Sequence, residues 1–442
     1  MSLLKWLVPG MKVKRWLVLL LGGVIGGALG LGLVMAFIYR SVHFTGVVSD
    51  VVYTATLQFI PRVDRAIILI VLGLGTVLAS LFKLSHSLLS VFLPNPRNIA
   101  DVIYRQRKLP RGPRIVAIGG GTGLSNLLRG LKEYTSNLTA VVTLADDWAR
   151  QNPLRQQLGI LAPGDFRNCI VALSDEEPLM ARLFQYRFGE GSGLEGHSFG
   201  NLFIAALAQI TGSFEKALRE VGRVLAVRGQ ILPSTINDVR ICPDLGMTLE
   251  EQAAAVLPPR TAKKVRLEPA GAIAHPEALK AIMEADMIVI GPGSIYTSVL
   301  PNLLVPGIRE AVRSSRAVKV FVSNIATQVG DTEGMDVLQH VRVVEAHVGR
   351  GLFDYIVAND NFSAEVPSEW PTELVRCGAQ TELGQLRLVE MDVVDQGSPI
   401  RHEPAKLAEA LLKLYYDQAS RRSSQRSPVL PVVLEADAAR TA

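Results

Sequence analysis

Cysteine is scarce in this sequence, which holds only three among its 442 residues. Cys169, Cys242 and Cys377 are far apart, and none belongs to a Cys-x-x-Cys pair. This spacing fits a reduced cytoplasm and excludes a zinc site built from cysteines. We therefore interpret all three as small apolar residues of the core.

A strong excess of charge is also missing, because the formal net charge is only +5. The basic surplus lies beside the apolar N-terminal segments and at the start of the C-terminal tail. Basic residues next to a membrane segment are explained by anionic lipid headgroups. No nucleic-acid partner is therefore expected.

Charge is absent altogether from residues 16–38, which form an apolar run long enough to cross a hydrocarbon core of roughly 30 Å. A second apolar run covers residues 66–93 and is interrupted by Lys83 and His86. A cleaved signal peptide is the alternative for the first run. It is disfavoured because the run is too long and rich in glycine, and because another span follows.

The basic residues around these two runs indicate their orientation. Lys12, Lys14 and Arg15 precede the first run, whereas Arg105, Arg107 and other basic residues follow the second. The positive-inside rule then predicts a multi-pass protein of the cell membrane, with both flanks in the cytoplasm and two helices in contact with lipid. We divide the chain into a membrane anchor (1–93), a basic linker (94–113), a cytoplasmic α/β domain (114–418) and a disordered tail (419–442).

The cytoplasmic part alternates short β-branched apolar runs with helical patterns, which predicts an α/β fold with a mostly parallel sheet. The predicted strands are 115–118, 138–145, 287–290, 318–322 and 355–357. A long insertion of helical and extended parts, from 148 to 276, separates the second strand from the third. A last helix is predicted over 403–416.

Glycines, carboxylates or amides follow every predicted strand. These strand ends are Gly119–Gly123, Asp146–Asp147, Gly291–Ser294, Ser323–Asn324 and Asn359–Asp360. Any one of them is an ordinary turn. Because parallel strands place their carboxyl ends on one edge, five together predict a ligand site at that edge.

The first strand end is the most informative. Gly119, Gly120, Gly121, Thr122 and Gly123 form a glycine turn before a helix, where free N–H groups and the helix dipole favour phosphate. Leu124 occupies the position of the third glycine of a Gly-x-Gly-x-x-Gly fingerprint, and no Gly-Lys-Ser/Thr follows. We therefore expect phosphate binding, and we expect no NAD, haem or zinc.

The second glycine turn has hydroxyl groups at the start of its helix. Gly291, Gly293, Ser294, Thr297 and Ser298 would suit a second phosphate or a sugar hydroxyl. A bare turn would not require so many small hydroxylated residues.

Three carboxylates could bind a metal near these turns. Asp146, Asp147 and Asp165 would suit Mg²⁺, which prefers one or two carboxylates together with phosphate oxygens and water. A helix cap or a solvated turn is an equal alternative. Arg167 and Asn168 could contact phosphate or a base.

A polar cluster opens the apolar helix predicted over 198–210. His197 and Asn201 are candidate ligand contacts, although His197 could instead cap the helix, and as a general base it would need a partner. Residues 196–200 match Gly-x-Ser-x-Gly, but no buried strand leads into them. A serine hydrolase is therefore disfavoured.

Several motifs occur in the order typical of one family. They are Gly-Gly-Gly-Thr-Gly (119–123), Ala-Asp-Asp (145–147), Pro-Gly-Asp-Phe-Arg-Asn-Cys (163–169), Gly-His-Ser-Phe-Gly-Asn-Leu (196–202), Gly-Pro-Gly-Ser-Ile-Tyr-Thr-Ser (291–298) and Asn-Ile-Ala-Thr-Gln (324–328). The sequence resembles the bacterial gluconeogenesis factor family, within the superfamily of 2-phospho-L-lactate transferases, over residues 114–415. Many members of this family lack a membrane anchor.

The resemblance implies a Rossmann-like fold, a UDP-sugar ligand such as UDP-N-acetylglucosamine, and a role in cell shape and wall synthesis during gluconeogenic growth. It implies metal binding by Asp146, Asp147 and Asp165. Asn324, Thr327 and Gln328, which belong to the motif at 324–328, are further candidate ligand contacts. A wall-synthesis partner protein and a homo-oligomer are further expectations.

One segment departs from the family pattern. Where the family usually has Asp-Asp-Gly-Gly-Ser-Ser-Gly, this chain continues after Asp147 with Trp148-Ala149-Arg150-Gln151-Asn152. Trp148 could stack on a base, and Arg150 could supply the lost phosphate contact.

Three functions are consistent with the sequence. They are a membrane-tethered nucleotide-sugar sensor, a Mg²⁺-dependent transferase of a phosphorus-containing group, and a membrane scaffold with a vestigial pocket. No residue is an unambiguous nucleophile or base, so the sensor is favoured.

Overall fold

A computed structural model describes residues 108–147, 164–175, 178–191, 194–195, 197–244, 264–363, 366–367, 369–378 and 384–426, with scattered residues between 24 and 82. The chain divides into two compact units, Met1–Pro110 and Arg111–Ala442.

The first unit is described only at scattered positions. Most of these residues are helical, and their large aliphatic side chains are exposed, for example Ile25 (50%), Leu31 (62%) and Val71 (65%). Among the described residues, no helix is both long and apolar enough to cross a membrane. The predicted spans 16–38 and 66–93 lie mainly outside the described residues.

The second unit is built on a seven-stranded sheet, in which every pair of neighbouring strands is parallel. Its strands are β1 (Ile115–Gly119), β2 (Leu138–Val142), β4 (Gln230–Pro233), β7 (Met287–Ile290), β8 (Val318–Val322), β9 (Tyr355–Asn359) and β10 (Arg387–Met391). Their spatial order is β10-β9-β8-β7-β1-β2-β4. The α/β prediction with a mostly parallel sheet is confirmed.

Two smaller sheets accompany the main one. Strands β3 (Asp146–Asp147), β5 (Arg240–Pro243) and β6 (Val265–Glu268) form one, and β11 (Val394–Asp395) with β12 (Ser398–His402) forms the other. Of the strands in the predicted insertion, β5 and β6 lie outside the main sheet, whereas β4 joins the main sheet at its edge.

Strand β1 shows why this sequence forms a central strand. All five of its residues are buried. Ile115 and Ala117 belong to the hydrophobic core on one face of the sheet, whereas Val116 and Ile118 belong to the core on the other face. A strand that alternates between two cores must be apolar at every position.

Ten α-helices are described in this unit. They are α1 (Gly121–Leu131), α2 (Gly164–Leu173), α3 (Pro178–Gln185), α4 (Phe199–Thr211), α5 (Phe214–Val224), α6 (Pro276–Glu284), α7 (Leu300–Leu303), α8 (Pro306–Ser314), α9 (Val337–Val348) and α10 (Pro404–Arg426). A short 3₁₀ helix (Leu109–Arg111) precedes β1, and a π-helix (Ile295–Val299) precedes α7.

The boundaries of α4 and α5 follow from local capping. Ser198 and Ser213 are the N-cap residues, and their hydroxyls accept hydrogen bonds from the N–H groups of Asn201 and Lys216. Gly212, with φ +66°, ends α4 in the left-handed conformation. These limits agree with the sequence prediction.

Three features differ from the prediction. Strands β4 and β10, at the two edges of the main sheet, were not predicted, because both are only partly buried and neither is a continuous apolar run. Helix α10 continues to Arg426 and so includes the first eight residues of the predicted disordered tail. Cys169 and Cys242 are buried as predicted, but Cys377 is only partly buried.

Candidate functional site

The first glycine turn joins β1 to α1 at the carboxyl edge of the sheet. Gly121, with φ +66°, adopts a left-handed conformation that favours glycine. A Cβ at Gly120 would overlap the carboxylate of Asp165, which lies at the start of α2. The absence of a side chain at Gly120 therefore brings Asp165 against the turn.

The second glycine turn follows β7 and packs directly against the first. A Cβ added at Gly123 would lie 2.6 Å from the carbonyl oxygen of Pro292, and one added at Gly293 would lie 3.0 Å from the carbonyl oxygen of Gly120. Only glycines permit this approach of backbone to backbone.

Two asparagines fix the paired turns. Asn324, just after β8, accepts a hydrogen bond from the Gly293 N–H and donates one to the Gly293 carbonyl, both at 3.0 Å. Asn302 is fully buried and donates to the carbonyls of Gly119 (3.1 Å) and Ser298 (2.7 Å). The ends of β1, β7 and β8 are therefore joined into one structure.

Hydroxyl groups line the start of the π-helix. Ser294 is its N-cap, accepting from the Thr297 N–H (3.2 Å), and its hydroxyl donates to Oδ2 of Asp331 (2.7 Å). Ser298 is buried and donates to the carboxylate of Asp165. π-Helical turns of this kind occur frequently at functional sites.

Burial determines the protonation of Asp165. Removal from water raises the pKa of the Asp165 carboxyl, while the Gly121 N–H, the Ser298 hydroxyl and the charge of Arg167 oppose this effect. The carboxylate is poorly solvated in the folded protein, which makes it a candidate ligand for a cation.

Arg167, two residues beyond Asp165 in α2, is buried. It donates to Oγ of Ser198 (2.6 Å) and to Oδ1 of Asn168 (3.2 Å). Burial, followed by the nearby charge of Arg187, lowers the pKa of the Arg167 guanidinium. Within the described part of the chain, Nε of Arg167 and Oδ1 of Asn201 are buried and have no hydrogen-bond partner. These two groups can accommodate a polar ligand.

Comparison with known proteins identifies the family. The sequence matches the protein family described as 2-phospho-L-lactate transferase CofD over residues 115–388. It is also 41% identical to a Nostoc sp. protein named "Putative gluconeogenesis factor", over 93% of this chain and 92% of that one. The chain belongs to the CofD family. Within that family its relatives carry the name gluconeogenesis factor, as the motifs predicted.

Shorter members of the CofD family match only part of this chain. The gluconeogenesis factor of Bacillus subtilis is 41% identical over 68% of this chain and 98% of its own. A crystal structure of a Bacillus halodurans protein, 38% identical, superposes with a TM-score of 0.61 over 68% of this chain and 99% of that one.

Some predicted contacts have a structural partner in this CofD family member. Thr327 is buried, and its Oγ1 accepts from the Glu373 N–H at 3.0 Å. Gln328 is exposed, and its N–H donates to Thr332. Asn359, at the end of β9, is bonded to Asn361 and Val393 of its own chain. Thr327 and Asn359 therefore hold loops together.

Other predicted contacts remain accessible at the edge. Thr122 and Thr297 are exposed, and His197 is half-buried with its backbone bonded to Phe188 and Leu194.

The predicted metal ligands are only partly described. Asp146 and Asp147 pair as strand β3 with Arg240 and Ile241, and their side chains lie outside the described residues. Trp148 and Arg150 also lie outside them. Among the residues that the structure describes, no group of three or more His, Cys, Asp or Glu side chains could hold a metal ion.

Sequence reasoning missed two residues of this site. Asn302 lies in an apolar Leu-Pro-Asn-Leu helix and Asp331 in a Gly-Asp turn, so neither carries a local signal. Their importance comes from contacts with Gly119 and Ser294, which are distant in sequence.

Proposed function

We propose that this chain is a membrane-tethered regulatory factor that binds a nucleotide sugar such as UDP-N-acetylglucosamine, and that it supports cell shape and wall synthesis during gluconeogenic growth. The observation that carries the proposal is the direct packing of two glycine turns at the carboxyl edge of the sheet. Because Gly123 packs against Pro292, two strand-to-helix turns lie side by side. Each turn can bind one phosphate group, so the pair suits a diphosphate.

The surrounding groups suit the other parts of such a ligand. Ser294 and Thr297 offer hydroxyls to a sugar, and Arg167 and Asn201 offer a buried donor and a buried acceptor. The CofD family description, which names a transferase of a phosphorus-containing group, supports a phosphorylated ligand.

Mg²⁺ fits this site through a single described carboxylate. The partly buried Asp165 carboxylate lies against Gly120, and its charged form is poorly solvated, so a cation beside it would be favourable. Mg²⁺ usually takes one or two carboxylates and completes its shell with phosphate oxygens and water, so a cluster of three is not required. Asp146 and Asp147 complete the proposed set.

Membrane tethering rests on the first unit. Its described aliphatic side chains are exposed, as Ile25, Leu31 and Val71 show, and exposed aliphatic residues in helices suit a lipid environment. We propose two spans there, with the second unit in the cytoplasm, where it would contact a wall-synthesis protein and assemble with further copies of itself.

A second candidate function is a Mg²⁺-dependent transferase of a nucleotide-linked group. It is favoured by the CofD family description and by the partly buried Asp165 beside the first glycine turn. The sequence holds no unambiguous nucleophile or base, and for this reason the regulatory function ranks first.

Calorimetry on the detergent-purified full chain, titrated with UDP-N-acetylglucosamine with and without Mg²⁺, tests both functions. Gly123→Ala should weaken binding at least about tenfold, because its Cβ would force the two turns apart. Gly271→Ala is the matched control, since a Cβ there meets nothing within 4 Å.

The outcomes separate the candidates. Binding without turnover supports the regulatory factor, and release of a nucleotide product supports the transferase. If no UDP-sugar gives heat at millimolar concentration, both functions are excluded and the chain would act only as a membrane scaffold.

A further inference from the structure

A second hollow lies at the opposite edge of the main sheet. It is lined by Val318, Tyr355 and Arg387, the first residues of β8, β9 and β10, and its volume is about 1090 Å³. Ligand sites typically occupy roughly 300–1,000 Å³, so a metabolite-sized molecule would fit. The glycine turns lie at the carboxyl ends of the strands, so the two places are separated by the length of the sheet.

Three arginines contribute to the wall of this hollow, namely Arg342, Arg350 and Arg387. The Arg387 guanidinium lies 5.9 Å from the centre of the Tyr355 ring, and its Nη1 donates to the Tyr355 hydroxyl at 3.3 Å. The other N–H groups of that guanidinium are available to a ligand. Arg350 is exposed and forms no ion pair with any described residue.

The two carboxylates of the hollow are engaged by backbone groups. Oε1 of Glu345 accepts from the Gly351 N–H at 3.1 Å, and Oδ2 of Asp354 accepts from the Lys319 N–H at 2.9 Å. The lining of the hollow therefore includes three guanidiniums and two carboxylates, and each carboxylate is hydrogen-bonded to a backbone N–H group. This excess of positively charged side chains in the lining favours an anionic ligand.

The floor of the hollow is apolar. Leu338 and Val341 of α9 contribute to it together with Phe353, and all three are largely buried. A bare inorganic ion would leave this surface in contact with water. A ligand with an apolar or aromatic body would cover the small part of these side chains that is still exposed, and this contact favours it over a bare ion.

We propose that this hollow is a binding site for a small organic anion, with a phosphate or carboxylate group held by Arg350 and Arg387 and an apolar body resting on Phe353, Leu338 and Val341. Arginine suits both kinds of anion, because its planar fork donates two parallel hydrogen bonds. The site is separate from the proposed nucleotide-sugar site and does not depend on it.

Calorimetry on the second unit, residues 111–442, tests this proposal with three probes: phenyl phosphate, benzoate and inorganic phosphate. This unit is a suitable sample because it corresponds to nearly the whole length of shorter relatives. Phenyl phosphate or benzoate should bind, whichever of the two anions the site prefers, and inorganic phosphate should bind more weakly than phenyl phosphate.

Arg350→Gln and Arg387→Gln should each weaken binding at least about tenfold, the loss expected for a charged hydrogen bond. Arg316→Gln removes an exposed charge from the same edge outside the hollow and should leave the affinity unchanged. Arg350 has no described partner, so its variant should fold even if Arg387→Gln does not.

Two results would overturn the proposal. One is the absence of heat with all three probes at millimolar concentration. The other is binding that Arg350→Gln leaves intact or that UDP-N-acetylglucosamine displaces, since the anion would then occupy a different site.

Discussion

At the scale of single residues, the candidate site depends on charged groups that the fold has removed from water. Burial raises the pKa of Asp165 and lowers the pKa of Arg167, so both shifts favour the neutral forms. Their mutual attraction offsets only part of this cost. Both groups are therefore poorly solvated in the folded protein, as expected for groups that are kept for binding.

The pH dependence of stability should reveal this cost at Asp165. A carboxyl whose pKa is raised above 3.8 holds its proton in the folded protein after the unfolded chain has lost it. Its contribution to stability is complete below the unfolded pKa and is lost as pH rises through the folded pKa.

Asp165→Asn removes this titration. From about pH 4 to about pH 7, the free energy of unfolding of the wild type should fall relative to that of the variant, by about 1.4 kcal/mol for each unit of pKa shift. Urea denaturation of residues 111–442 at several pH values measures the difference. A difference that does not change with pH would show that Asp165 ionises normally.

At the scale of elements, helix ends position the site. Helices α2 and α4 meet where the Arg167 guanidinium donates to the N-cap residue of α4, Ser198. One hydroxyl thereby caps a helix and holds a buried cation. Helix α5 has the same type of N-cap in Ser213, without such a cation.

Substitution of the two caps should separate these roles. Ser213→Ala should cost about 1 kcal/mol, the usual value of an N-cap. Ser198→Ala should cost about 2–4 kcal/mol, because it also leaves an N–H of Arg167 unsatisfied in the interior. Equal losses of unfolding free energy in urea titrations would mean that the bond to Arg167 contributes little.

At the scale of the whole molecule, the chain consists of two units, and its relatives differ in how much of the chain they match. The Nostoc protein matches 93% of this chain, whereas the Bacillus subtilis protein matches 68%. Some relatives, such as the Bacillus subtilis protein, are therefore matched over almost their whole length by only about two thirds of this chain. Under the proposed function, the first unit would act as the membrane anchor.

Cell fractionation tests the anchor. The full chain should sediment with membranes, stay there after a high-salt wash and be released by detergent, because apolar helices partition into lipid whatever the ionic strength. Residues 111–442 should remain in the supernatant. Release of the full chain by salt alone would indicate electrostatic attachment instead of spanning helices.

The sequence predicted the central strands, the capped helices and the family because these depend on local patterns. Ile115 to Ile118 had to form a strand buried on both faces, and Ser198, Gly212 and Ser213 had to mark helix ends. The edge strands β4 and β10 were missed because the sequence of a half-buried strand has no continuous apolar run that distinguishes it from a loop. Such a segment becomes a strand when it pairs with its neighbour in the sheet.

The sequence by itself determined that buried parallel strands end in glycine turns at one edge of the sheet. Strand burial and turn conformation could be predicted because both depend on residues that are adjacent in the sequence. Only the tertiary structure decided that the Asp165 carboxylate lies against Gly120, and that the side-chain amide of Asn324 is hydrogen-bonded to the backbone of Gly293. It also decided that Asn302 supports Gly119, from which it is 183 residues distant. Contacts of this kind depend on how strands and helices are packed in space, and no pattern along the chain records that packing.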